Sequence, residues 1–176
     1  MKFSDGPHVE VETFVEAPPE RVWEVAVDLT RMGEWSSENK GGEWLEAEPA
    51  LGSRFRGRNQ REDFAWETVS VITEFDPPRR LAWAVGDPDK PAATWRYELT
   101  PEAGGTRLRQ CAVMGPGPSG LTMAIERMPD KEERIIERRC EEHRRNMTAT
   151  VEGIKAAAEA TGARPSDGSR GEPSTN

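Results

Sequence analysis

From Val9 to Glu16 the chain alternates, with Val9, Val11, Thr13 and Val15 on one side and Glu10, Glu12, Phe14 and Glu16 on the other. A period of two is the mark of a strand with one wet face. Pro18 and Pro19 stop it. Proline is at home in the first turn of a helix, where its missing N–H has no intrahelical partner to lose. Val22, Trp23, Ala26 and Val27 then recur at helical spacing. The opening pattern therefore predicts a strand, a turn, an amphipathic helix and a second short helix ending at Trp35.

Beyond Trp35, residues 36–42 (SSENKGG) read as a polar loop and residues 43–48 as a short strand. In 54–61, Phe55, Gly57 and Asn59 alternate with Arg54, Arg56, Arg58 and Gln60, and the arginine side reads as the solvent face. Residues 65–75 form a longer strand, rich in β-branched residues. Trp66 and Val69 fall on opposite faces of it, which predicts a bulge or a segment covered on both sides. Three more alternating runs follow: Leu81, Trp83, Val85; Trp95, Tyr97, Leu99; and Leu108, Gln110, Ala112, Met114. Turn signals at 76–78, 86–91 and 101–105 separate them, so the pattern is an antiparallel meander.

The glycine–proline run at 115–120 breaks the sheet, and most of the chain from there to about Ala160 reads as helix. An interruption is expected near Met128-Pro129-Asp130, because proline disfavours the helical conformation in the residue before it. Ile136, Cys140, His143, Met147, Val151, Ile154 and Ala158 form one apolar stripe on an otherwise charged rod. Gly162 ends the helix, and the composition of 162–176 is that of a disordered tail. The expected organisation is one domain over 1–161 followed by that tail.

Composition narrows the function classes. The 176 residues suffice for one domain with a sizeable core, but at 35% hydrophobic a three-layer fold would be hard to fill. A net charge of −8 argues against a nucleic-acid partner, which would need a basic face. The first residues have no apolar leader core and no run is long enough for a membrane span. Cys111 and Cys140, far apart, read as free thiols, so the expected location is the cytoplasm. No zinc spacing, P-loop, dinucleotide or serine-elbow motif occurs, and no cofactor is implied. A metal site is not expected, since His8 is the only histidine besides His143.

The order strand, two short helices, six antiparallel strands and a long terminal helix resembles the helix-grip fold of the START-related superfamily that contains polyketide cyclases and dehydrases. The residues that carry the likeness are 16–36 (EAPPERVWEVAVDLTRMGEWS), 52–59 (GSRFRGRN), 74–83 (EFDPPRRLAW), 95–108 (WRYELTPEAGGTRL) and 146–159 (NMTATVEGIKAAAE). The resemblance implies an α+β fold in which a curved seven-stranded sheet wraps around the terminal helix and leaves a cavity for a hydrophobic small molecule. Binders, transporters and enzymes share that scaffold, so the fold alone selects no reaction.

By parity the inward set is Phe55, Asn59, Trp83, Trp95, Tyr97, Leu108, Gln110 and Met114, joined by Trp35 and by His143 and Met147 of the helix stripe. Aromatic residues on an inner sheet face are more often core than ligand contacts, taken singly. The polar members say more, because an inward polar group needs a partner, water or a ligand. His143, on the stripe, is expected to titrate near neutral pH and could move protons. The first reading is a carrier of a lipid, isoprenoid or aromatic metabolite. The second is an aromatase/cyclase-like enzyme with His143 and Tyr97 as its catalytic groups. The resemblance implies an inward arginine, tyrosine or histidine for such enzymes; Tyr97 and His143 are present, and no arginine is assigned inward by the sequence pattern. Residues 121–128 (LTMAIERM) could cap the cavity mouth or pack as an ordinary helix.

Overall fold

A computed structural model of the chain describes residues 1–160. The strands are β1 (His8–Val15), β2 (Asn39–Trp44), β3 (Arg54–Arg61), β4 (Phe64–Asp76), β5 (Arg80–Val85), β6 (Ala93–Glu102) and β7 (Gly105–Met114). They form one antiparallel sheet in the order β1-β7-β6-β5-β4-β3-β2. Helix α1 (Pro19–Ala26) follows β1, with Pro18 and Pro19 at its start, and a 3-10 turn (Leu29–Glu34) leads to Trp35. Helix α2 (Gly120–Arg127) is capped by Ser119, and α3 (Glu132–Ala160) begins after the break at Met128–Lys131. The expected tail, 162–176, lies outside the described residues.

The alternation sorts as expected in most strands. Phe55 and Gly57 are buried while Arg54, Arg56, Arg58 and Gln60 are exposed. The bulge in β4 falls between Ile72 and Glu74, where the pairing to β5 shifts. It returns Phe75 to the face that Ile72 occupies, so both reach the interior. The second strand departs from expectation. It occupies residues 39–44 rather than 43–48. The turn-like Gly41-Gly42 pair is there for close approach: a Cβ on Gly42 would lie 2.1 Å from the Arg56 carbonyl oxygen of β3. The glycines that resemble a loop in sequence are what lets β2 pair.

Helix α3 runs along the β1–β7 side of the sheet. Met147 packs with Val9 and Ala112, Lys155 Nζ donates to the Phe14 carbonyl at 2.7 Å, and the Glu16 N–H donates to Glu159 at 2.9 Å. Its buried residues are Ile136, His143, Met147, Thr150, Val151, Ile154 and Ala158, the expected stripe with Thr150 added and Cys140 only half-buried. Helix α1 covers the end of the interior near the β6–β7 hairpin, with Trp23 edge-on to Phe75 at 5.5 Å between ring centres. No helix among the described residues is long and apolar enough to cross a membrane.

Candidate functional site

The inner face carries its aromatic residues on neighbouring strands. Trp83 of β5 stands opposite Trp95 of β6, their rings stacked at 6.4 Å, and Trp83 also meets Tyr97 at 5.3 Å. From the other side of the interior His143 of α3 meets Trp95 edge-on at 5.1 Å. Tyr97, Trp83, Trp95 and His143 thus form one continuous aromatic wall running from sheet to helix. Gln110 of β7 sits directly opposite Tyr97 in register. Both are almost fully buried, and Tyr97 Oη and Gln110 Oε1 have no hydrogen-bond partner among the described residues. Burial raises the Tyr97 phenol above its ordinary range, so the group is a neutral donor.

The remaining sequence candidates divide. Met147 lies one helical turn beyond His143 and packs with Val9 and Ala112. Asn59 is half-buried and hydrogen-bonded on both sides, accepting from Asn39 Nδ2 at 3.5 Å and donating to Thr68 Oγ1 at 3.4 Å. Leu108 is core opposite Leu99, and Phe55 packs edge-on to Trp44 at 5.4 Å. Met114 is buried at the far end of β7, opposite Ala93. Trp35 lies against Gly153, where a Cβ would come within 2.2 Å of the indole, and under the Arg31 guanidinium at 5.3 Å. Gly153 is about 15 Å along α3 from His143 at helical rise. Trp35 therefore packs the end of the 3-10 turn against α3, on the cluster that also holds Trp83 and Tyr97.

The sequence pattern missed a partly buried ion network beside His143. Arg139, one turn before it on α3, donates two hydrogen bonds to Glu38, at 2.8 and 2.7 Å, and one to Glu142 at 3.2 Å. Glu142 also accepts from Arg61 of β3 at 3.0 Å and from Arg138 at 3.1 Å. The network straps the segment before β2 and the end of β3 to the long helix. Ser37 Oγ adds a hydrogen bond to Asn146 Oδ1 at 2.5 Å. Burial works against ionisation of Glu38 and Glu142, but the guanidinium hydrogen bonds outweigh it and hold both carboxyls below the usual range. Arg61 had a signal, since its parity in β3 matches Asn59. Arg139 had a weaker one, four residues before His143. Glu38, in a run read as loop, had none.

His143 corrects an expectation. Burial, helped by the positive charge of Arg139 and opposed by Glu38 and Glu142, drives its pKa down to about 4 instead of leaving it near neutral. It is a neutral imidazole at pH 7, with no hydrogen bond to Tyr97 or to a carboxylate among the described residues. Two recesses, of about 310 and 460 Å³, lie outside the sheet–helix interior, one lined by Phe3, Thr122, Ile125 and Glu132 and the other by charged residues around Arg134. At the wall itself the rings are in contact, and the His143–Trp95 pair spans the interior from α3 to β6. The lining of the first recess also places part of α2 against the chain's first residues.

The curled seven-stranded sheet gripping a long C-terminal helix is a helix-grip fold, shared with solved structures. The polyketide cyclase-like protein Cgl2372 of Corynebacterium glutamicum is 27% identical with a TM-score of 0.65, over 92% of this chain and 97% of its own. The ZhuI aromatase/cyclase of Streptomyces sp. R1128 is 19% identical with a TM-score of 0.67, over 92% and 98%. The di-domain aromatase/cyclase BexL of the BE-7585A pathway is 20% identical with a TM-score of 0.68, and 90% of this chain spans half of its length. No curated protein sequence matches significantly. Residues 6–159 match the family described as polyketide cyclase / dehydrase and lipid transport, and the chain belongs to that family.

Proposed function

We propose that the protein is a cytoplasmic carrier that binds a hydrophobic small molecule, such as a lipid, isoprenoid or aromatic metabolite, between the inner sheet face and α3. The observation that carries this reading is the wall Tyr97–Trp83–Trp95–His143, which offers stacked aromatic surface beside two polar atoms without partners among the described residues. Sites of this kind bind by apolar contact and orient by a few polar groups. A guest enters by parting the His143–Trp95 contact, beside the Glu38–Arg139–Glu142 strap. The two half-buried thiols, both free, agree with a reducing compartment.

Carriage is favoured over chemistry by the state of the titratable groups. A neutral histidine with no carboxylate or tyrosine hydrogen bond lacks the orienting partner that acid–base catalysis uses. The second reading, an aromatase/cyclase-like enzyme, draws support from Arg139, an arginine one turn from His143 that the sequence pattern did not place. Its guanidinium is committed to Glu38 and Glu142, however.

Native mass spectrometry of the purified protein tests the reading by looking for a co-purified apolar molecule. The His143→Ala variant should bind that molecule about tenfold more weakly while still unfolding cooperatively. Unchanged affinity in a folded variant would remove His143 from the site, and a chain that takes up no apolar molecule at all would overturn carriage.

A further inference from the structure

The row of inward residues across the sheet at Tyr97 reads Leu81 (β5), Tyr97 (β6), Gln110 (β7), Val11 (β1). Two polar side chains stand side by side in an apolar row, 1% and 2% exposed. Tyr97 Oη and Gln110 Oε1 are unpartnered, which natural interiors avoid because each such atom costs about 1–3 kcal/mol. Packing does not explain the pair, since phenylalanine and leucine would fill the row without that cost. One of the two groups offers a proton and the other a lone pair.

We propose that this pair is the polar anchor of the guest and that it selects a neutral hydroxyl, an alcohol or a phenol, as the group the guest must carry. The inference rests on the carrier reading above and adds to it the chemistry of the ligand. A hydroxyl accepts from the Tyr97 O–H and donates to Gln110 Oε1, so both buried atoms are satisfied by one ligand atom. A ketone satisfies Tyr97 and leaves Gln110 Oε1 unpaired. A carboxylate presents negative charge to that same oxygen, and the half-buried guanidinium of Arg139 is already shared between Glu38 and Glu142. A plain hydrocarbon leaves both atoms unmet. The aromatic wall supplies the apolar contact common to all four, so the differences among them report the anchor alone.

The test is calorimetric titration of the whole chain with tetralin, α-tetralol and α-tetralone, which share one bicyclic skeleton and differ only in the polar group. The expected result is α-tetralol bound about tenfold or more tightly than either of the others. In Tyr97→Phe and in Gln110→Met that preference should shrink to within about twofold. Equal binding of tetralin and α-tetralol to the unmodified protein would mean that fixed water satisfies the pair, and would overturn the anchor while leaving carriage standing. Equal binding of α-tetralone and α-tetralol, or a preference that survives both substitutions, would overturn it too. Failure of all three compounds to bind would overturn the carrier site together with the anchor.

Discussion

Under α1 the interior is closed by Val22, Leu29, Leu99, Leu108 and Ile154, each 3% exposed or less and each purely hydrocarbon. Toward the middle of α3, Tyr97, Gln110 and His143 are buried almost as deeply but are polar, and a partly buried ion network stands beside them. The first region gains from every atom it buries, at about 25 cal/mol per Å² removed from water. The second gives some of that gain back through unpaired atoms and a histidine held neutral. An inner face that leaves two neighbouring polar atoms unpartnered beside aliphatic packing is set up for binding at that place, because a ligand can return what the free protein forgoes. Stability should therefore reside at one end and ligand response at the other.

The largest effect that would break this division is at the aliphatic end. Ile154 is fully buried in the main cluster, and Ile154→Ala removes packing that the surroundings recover only in part. Chemical denaturation should register a loss of about 3 kcal/mol, with affinity for an apolar probe within about twofold of the unmodified protein. A large drop in affinity at unchanged stability would show that the aliphatic end is itself part of the site.

The next effect belongs to the polar end and depends on pH. With a folded-state pKa near 4 against an ordinary 6.5, His143 takes up a proton in the unfolded chain before it can in the folded one. Its contribution is complete above pH 6.5 and is lost as pH falls through the window down to about 4, amounting to about 3 kcal/mol. Arg139, Arg61, Glu38 and Glu142 are the charged groups acting on it, from α3, β3 and the segment before β2. Glu38 and Glu142 have depressed pKa values, so their own contribution fades at lower pH, as they protonate. His143→Gln should consequently flatten the stability profile between pH 6.5 and 4 and leave the steeper acid limb below it. Identical slopes in that window for the two proteins would place His143 in contact with solvent and dissolve the contrast between the ends.

The aliphatic end was far more legible in the sequence than the polar one. Strand parity fixed the inner face of β5, β6 and β7, and the stripe from Ile136 to Ala158 appeared in the helix almost residue for residue, because burial of apolar side chains imposes the period of the backbone on the sequence. The polar site is assembled across elements. The pairing of Tyr97 with Gln110 depends on the register of the β6–β7 hairpin, which alternation alone leaves open. Arg139 finds Glu38 about 100 residues away in sequence, through a segment whose residues signal only a turn. The shift of His143 to a neutral state depends on burial and on that arginine, and neither is written locally.

The smallest predicted effect has the opposite sign and sharpens the comparison most. In the core under α1, deleting a buried atom always costs stability. At Tyr97 the atom to delete is a phenolic oxygen that is buried and unpartnered, in a residue 1% exposed. Tyr97→Phe keeps the ring against Trp83 and removes only that oxygen. If the free protein bears the cost of burying it, the substitution should stabilise by about 1 kcal/mol, the lower part of the range for an unsatisfied buried group. Thermal unfolding of the ligand-free protein measures this as an increase of a few degrees, roughly 2–4 °C for a domain of this size. A decrease of similar size would mean that the hydroxyl already has a partner in solution, such as a trapped water. The polar end would then be as well satisfied as the aliphatic one, with nothing held in reserve for a guest.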